Sequence, residues 1–231
     1  MNNKEIDLEG VQYLCVGPAT YKVAGKTIQA KGLTLATGLE TATLLHASLC
    51  STNNTIKNAP LSAFIRDSIL KDSWINVFNR NTWTPQSAKN AGVYVQYDSK
   101  AQGYARVADI SALNKQSSKK DTTTTFAPLN KIKGGEHEYN TLAKNAFVVA
   151  NYTLQGAKLL DEVAKTLSLK PAVWIMNNES SKPVQTLSSI YIETPQPGQT
   201  RIVIMGWGLK HLQDENPRSN EGYSFGVRHL S

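Results

Sequence analysis

Two runs decide the fold: Val184-Gln185-Thr186-Leu187-Ser188-Ser189-Ile190-Tyr191-Ile192-Glu193 and Arg201-Ile202-Val203-Ile204-Met205-Gly206-Trp207-Gly208-Leu209. Both are rich in β-branched and aromatic residues, which favour a pleated, half-buried surface. Between them Pro195-Gln196-Pro197-Gly198 is turn chemistry. Ala172–Met176 lies before this pair and Tyr223–His229 after it, with turn residues at Asn177–Lys182 and in the 213–222 loop. Consecutive strands joined by short turns predict an antiparallel meander. Gly206-Trp207-Gly208 is costly inside a strand and predicts a bulge or a close backbone approach, to a ligand or to another chain.

Working outward, a long stripe precedes the meander: Leu142, Ala146, Val149, Tyr152 or Thr153, Gly156, Leu160, Val163 and Leu167. That three-to-four spacing predicts a helix over about 137–168, covering one face of the sheet. Nearer the N-terminus, Val11–Val16 reads as a strand, ended by Gly17-Pro18. Tyr21–Val23 and Thr27–Ala30 flank Ala24-Gly25-Lys26 and read as a hairpin. Thr37 and Glu40 have capping-box spacing ahead of Leu39, Ala42, Leu45 and Leu49, which predicts a helix over about 38–51. Leu61, Ile65 and Ile69 predict another, to about Lys71. Trp74–Phe78 is equally consistent with continued helix and with strand. Gly92–Asp98 and Tyr104–Ile110, about a turn at Asp98–Gly103, form the clearest hairpin. Runs of strands and helices without βαβ alternation place the chain in the α+β class, as antiparallel sheets (N-terminal hairpins and a C-terminal meander) packed with two or three helices.

The 231 residues allow one large domain or two small ones. Asn114-Lys115-Gln116-Ser117-Ser118-Lys119-Lys120-Asp121-Thr122-Thr123-Thr124-Thr125 has no apolar residue and no period, so it reads as a long loop or hinge. It suggests an N-terminal α+β part (1–113), a basic connector (114–135) and a C-terminal part (136–231), or these joined as one domain. The net charge of +7 is uneven: residues 114–135 hold five Lys against one Asp, whereas residues 136–231 hold nine basic and nine acidic residues.

Several function classes drop out. A hydrophobic fraction of 40% argues against whole-chain disorder. No apolar run approaches the roughly 20 residues of a membrane helix. Glu5 and Asp7 stand where a signal peptide needs a basic then apolar run. The expected location is therefore cytoplasmic, or in a virion, with no membrane partner. Cys15 and Cys50 are too few for a disulfide framework and read as reduced, buried thiols. The sequons at Asn53, Asn151 and Asn178 are then chance matches.

Tests for chemistry find no catalytic signature. Gly25-Lys26-Thr27 lacks the glycine five positions earlier that a phosphate-binding loop needs. His46 and Cys50 share a helix face but supply only two of the four ligands of a closed zinc site. In Glu136-His137-Glu138 the acids suit a helix start. His211 and His229 approach only if the last two strands pair. Asp161 and Glu162 are adjacent on a helix, hence about 100° apart, and form no carboxylate dyad. No Gly-x-Ser-x-Gly elbow occurs. No metal and no cofactor is expected, and catalytic residues are unknown.

Two features remain. Lys115, Lys119, Lys120, Lys131 and Lys133 are candidates for neutralising phosphates of RNA or DNA, although Phe126 is the lone aromatic among them and Arg is absent. Trp74, Phe78, Arg80 and Trp83, interleaved with Asn76, Asn79 and Asn81, are interface candidates together with Trp207, because aromatics and Arg dominate interface hot spots. The leading expectation is a non-enzymatic structural or interaction subunit that assembles with other protein subunits as a homo- or hetero-oligomer, of a kind that a phage or mobile element would encode. The alternatives are a nucleic-acid-binding protein using the connector lysines, and an enzyme whose site is not recognisable from sequence.

Overall fold

The computed structural model describes residues 4–103, 109–119, 123–193, 201–208 and 221–230, with backbone only at 72, 193, 201 and 205–208. The N-terminal elements are β1 (Lys4–Leu8), β2 (Val11–Ala19), α1 (Tyr21–Ala30), β3 (Thr34–Leu35), α2 (Gly38–Cys50) and α3 (Asn54–Lys57). Next come α4 (Pro60–Phe64), a π turn (Ile65–Ile69) and α5 (Leu70–Asp72), followed by β4 (Trp74–Trp83), β5 (Gly92–Tyr97) and α6 (Ile110–Ser118). The remainder is β6 (Thr124–Pro128), β7 (Gly135–Glu136), α7 (Ala146–Thr166), β8 (Lys170–Trp174), β9 (Val184–Glu193), β10 (Arg201–Gly208) and β11 (Gly222–His229).

The strands join in one sheet of order β1-β2-β11-β4-β9-β10-β8-β7, with β3 on β11, and β5 on β4 carrying β6. The class is α+β, but the sheet is mixed rather than purely antiparallel. β9 pairs antiparallel with β10, yet β10 runs parallel to β8, and β11 meets β4 in parallel at Tyr223 and Ile75. The cause is strand order. β10 occupies the place beside β8, so β9 is held one strand away and pairs with β4 instead. The last strand leaves the meander altogether and lies between β2 and β4.

Side-chain alternation gives the sheet two faces. Ile75, Val77 and Trp83 of β4, Ile190 of β9, Ile202 and Ile204 of β10 and Val173 of β8 point to the main core, where α2 and α7 pack. α2 begins on the predicted capping box: the Glu40 amide donates to Thr37 Oγ1 at 3.2 Å and the Thr37 amide to Glu40 Oε2 at 2.7 Å. On the opposite face α1 buries Tyr21, Ala24 and Ile28 against Leu14, Val16 and Phe78. α6 lies on this second face too, where Asn114 accepts from the Tyr94 hydroxyl.

Several local expectations are corrected. Residues 21–30 form α1, not a hairpin. Asn114–Ser118, expected as loop, completes α6, because Asp109 Oδ1 caps the Ser111 amide and Leu113 is buried. β5 pairs with β4 on one edge and with β6 on the other. Residues 104–108 lie outside the described residues, and Ile110 opens α6. The long helix starts at Ala146, not 137, because Gly135 and Glu136 pair with β8 and the His137 amide donates to Pro171 O at 2.8 Å. The register of β10 on β9 runs from Arg201 to Gly208 without a shift, so Gly206-Trp207-Gly208 forms no bulge there. The bulge sits in β4, between Val77 and Arg80. Lys120, His211, the Pro195–Gly198 turn and 213–220 lie outside the described residues.

Candidate interaction face

The bulge in β4 is held from the core side by a polar network. Asn79 Nδ2 donates to the Asn151 carbonyl at 2.9 Å and to Asn151 Oδ1 at 3.2 Å. Ser188 Oγ donates to the same Oδ1 at 2.6 Å, and Asn81 Nδ2 to Ser188 Oγ at 2.8 Å. The Asn151 carbonyl turns toward the sheet where α7 breaks at Thr153, whose φ is 65°. The second half of the helix restarts there, with the Gly156 amide donating to Thr153 Oγ1 at 3.3 Å. Buried amides bonded in this way fix one geometry for β4.

With β4 fixed, its even-numbered residues face away from the main core. The registers then carry one row across five strands: Trp74 opposite Tyr191, Tyr191 opposite Val203, Val203 opposite Ala172, Ala172 opposite Glu136. Val203 and Ala172 are fully buried and Tyr191 packs on them, while Trp174 is 37% exposed. Val203, Ala172 and Tyr191 thus form a small apolar cluster, its Val203 and Ala172 closed to solvent, with the amphipathic Trp174 ring partly exposed on the same strand face. Trp74 Nε1 donates to Asn76 Oδ1 at 3.2 Å. The edge is charged, with Lys170 Nζ 3.8 Å from Glu136 Oε2. Asn76 Nδ2, Arg80 Nε, Thr82 Oγ1 and Ser224 Oγ belong to this side of the sheet and lack hydrogen-bond partners among the described residues.

The five interface candidates separate. Trp74 and Arg80 lie half-buried on this face. Phe78 shares it but is sealed beneath α1, edge-on to Tyr21 at 5.0 Å. Trp83 belongs to the main core: it is 1% exposed, donates Nε1 to Thr186 Oγ1 at 3.0 Å and packs on Phe147 at 5.3 Å. Trp207 pairs in register with Leu187. Tyr191, Trp174, Val203 and Ala172 were missed. Each strand's alternation marked them, but only the strand order brings them together.

Lys115, Lys119, Lys131 and Lys133 are all exposed; the first pair lies on and at the end of α6, the second at and just beyond the 3₁₀ turn Leu129–Lys131 that follows β6. His46 Nε2 lies 2.7 Å from Glu162 Oε2 across α2 and α7. His137 is buried and satisfied, with Nε2 3.0 Å from Lys133 O and Nδ1 3.3 Å from Thr141 Oγ1. His229 Nε2 lies 3.2 Å from Glu40 Oε1. Burial pushes the Cys15 thiol up to about 12 and raises that of Cys50, so neither is an activated nucleophile. Burial and the neighbouring Asp98, which accepts from Tyr21 at 3.2 Å, hold the Tyr21 hydroxyl well above its ordinary range. Among the described residues, no group of three His, Cys, Asp or Glu is placed to hold a metal ion, and no helix is long and apolar enough to cross a membrane.

No protein-family model matches the chain, and no curated protein matches it. A solved structure from Nanoarchaeota, studied for the accommodation of massive sequence variation by the C-type lectin fold, matches with a TM-score of 0.55 and 12% sequence identity. The match covers 98% of this chain and 98% of that one. At that identity the likeness concerns fold alone: the chain is built on the C-type lectin fold.

Proposed function

We propose that the chain is a non-enzymatic interaction subunit, a rigid C-type lectin scaffold that meets other protein subunits through the face bearing Trp74, Tyr191 and Trp174. The observation that supports this most is the aromatic rim over buried Val203 and Ala172. A large aromatic left partly exposed beside a buried apolar cluster is the kind of anchor that concentrates binding energy at protein interfaces. The fold likeness supports it further. In the nanoarchaeal protein the same fold accommodates massive sequence variation, and the Asn79–Asn151–Ser188 network would let this scaffold keep its geometry while its surface residues change.

Light scattering tests the reading. We expect a mass above the 25.3 kDa of one chain, persisting at low and high salt. Trp174→Ala and Tyr191→Ala should return it to one chain's mass while leaving far-UV circular dichroism unchanged. A single-chain mass under all conditions overturns the reading. The exposed lysines at 115, 119, 131 and 133 favour a second reading, nucleic-acid binding. Its signature is a mass that rises only with a mixed single-stranded oligonucleotide and only at low salt.

A further inference from the structure

β1 ends the sheet. β2 pairs with one of its edges, and among the described residues nothing hydrogen-bonds to the backbone of the other. Such an edge is a template for one more strand. Beside it runs a groove of about 340 Å³, lined by Glu5, Ile6, Asp7 and Gln12 on the sheet side and by Thr55, Ile56 and Ala59 on the other. Ile6 and Leu8 are buried in the main core, whereas Glu5 and Asp7 are exposed. Neither carboxylate has an ion-pair partner among the described residues. Glu5 accepts from Gln12 Nε2 at 3.4 Å, and the nearby Lys4 ammonium is turned 4.3 Å over the Phe64 ring.

The alternation also decides what can pair here. Suppose a second copy joins antiparallel through its own β1, with both sheets keeping their cores on the same side. Opposed residue numbers must then share parity, since a one-residue slip exchanges the two faces. Registers centred on Glu5, Ile6 or Asp7 place Glu5 on Glu5, Glu5 on Asp7, or Asp7 on Asp7. Like charges directly opposite are destabilising, so the edge resists its own copy. A strand with cations at those positions meets no such barrier. The chain as a whole carries +7 and repels cations, so attraction of a basic strand comes from this locality alone.

We propose that the open edge of β1 and its groove take up an extended basic segment of a partner protein by strand addition. Lys or Arg at alternate positions lie opposite Glu5 and Asp7, with small apolar residues between them resting toward Ile56 and Ala59. This site is separate from the Trp174 face, and neither depends on the other.

The test is fluorescence anisotropy on the intact chain with a labelled synthetic peptide of alternating Lys and Val. We expect saturable binding that weakens as salt rises. It should fall by roughly tenfold or more in Glu5→Lys/Asp7→Lys and by a smaller factor in the milder Glu5→Gln/Asp7→Asn. A peptide with Pro at its centre, unable to complete the ladder, should lose binding, whereas Trp174→Ala should leave it intact. Absence of saturable binding overturns the proposal. So does equal binding by the charge-reversed chain. Equal binding of the Pro peptide reduces the site to simple charge attraction and overturns strand addition.

Discussion

Gly38, at the start of α2, has the Asn151 carbonyl oxygen where its β-carbon would be, only 1.9 Å away. That carbonyl is also the acceptor for Asn79, so one atom of the broken helix α7 fixes both the seat of α2 and the bulge of β4. Gly38→Ala therefore cannot be absorbed by a side-chain rotation; backbone must move. Overpacking of this kind costs about 1–3 kcal/mol. For a chain of this size that lowers Tm by roughly 3–10 °C, which differential scanning calorimetry reads directly; an unchanged Tm would show that α2 and α7 are not locked at this point. The sequence displayed part of this site. Thr37 and Glu40 announced the cap because its bonds span three residues. The contact between Gly38 and Asn151 spans more than a hundred residues and leaves no local trace. Trp83 is the converse case. Its aromatic and amide neighbours looked like an interface, yet the same composition builds a buried network once Thr186 and Ser188 arrive from β9.

At the scale of elements, α1 shows how a glycine misleads. Gly25 suggested a turn, but a β-carbon there would sit 2.1 Å from Ala101 Cβ, so the glycine serves close approach of a helix to the 98–103 loop. The buried set Tyr21, Ala24, Gly25 and Ile28 has helical spacing that the turn reading obscured. The start of α7 was misplaced for a related reason. Leu142 fits the stripe, yet it belongs to a separate 3₁₀ turn over Leu142–Lys144, whose Leu142 amide donates to Asp161 Oδ2 at 3.0 Å. Asp161 is buried, and burial raises its carboxyl above the ordinary 3.8, with the Leu142 amide opposing. The folded chain thus holds this proton more tightly than the unfolded chain does. The stability this confers is present below the unfolded value and is lost as pH rises through the folded one. Urea midpoints measured upward from about pH 4 should show this loss, and Asp161→Asn should flatten that part of the curve. If the substituted chain keeps the same pH slope, the slope arises elsewhere.

The whole molecule is organised by where its last strand goes. β11 lies between β2 and β4, with Phe225 and Val227 each 1% exposed in the main core. The α+β class and most C-terminal strands were legible, because alternation and turn chemistry are local. The mixed sheet was not, because strand order is set by contacts that no short window contains. The order carries a consequence for any division of the chain. In residues 1–113 alone, β1 with β2 and β4 with β5 form two pieces with a gap where β11 belongs. Residues 136–231 alone leave β9 without β4, and β11 without β2. Each fragment also exposes its half of a core shared by α2 from the first part and α7 from the second. We therefore expect neither fragment to fold by itself, and the intact chain to unfold in one transition, with tryptophan fluorescence and far-UV circular dichroism superimposing. Co-expression of the two fragments, with 114–135 left on either, should restore the dispersed amide spectrum, since the missing neighbours return without a covalent link. A fragment 1–113 that shows dispersed amide resonances and a cooperative melt alone would mean that β2 and β4 can close on each other, and that the position of β11 is acquired after the first part has folded rather than required for it.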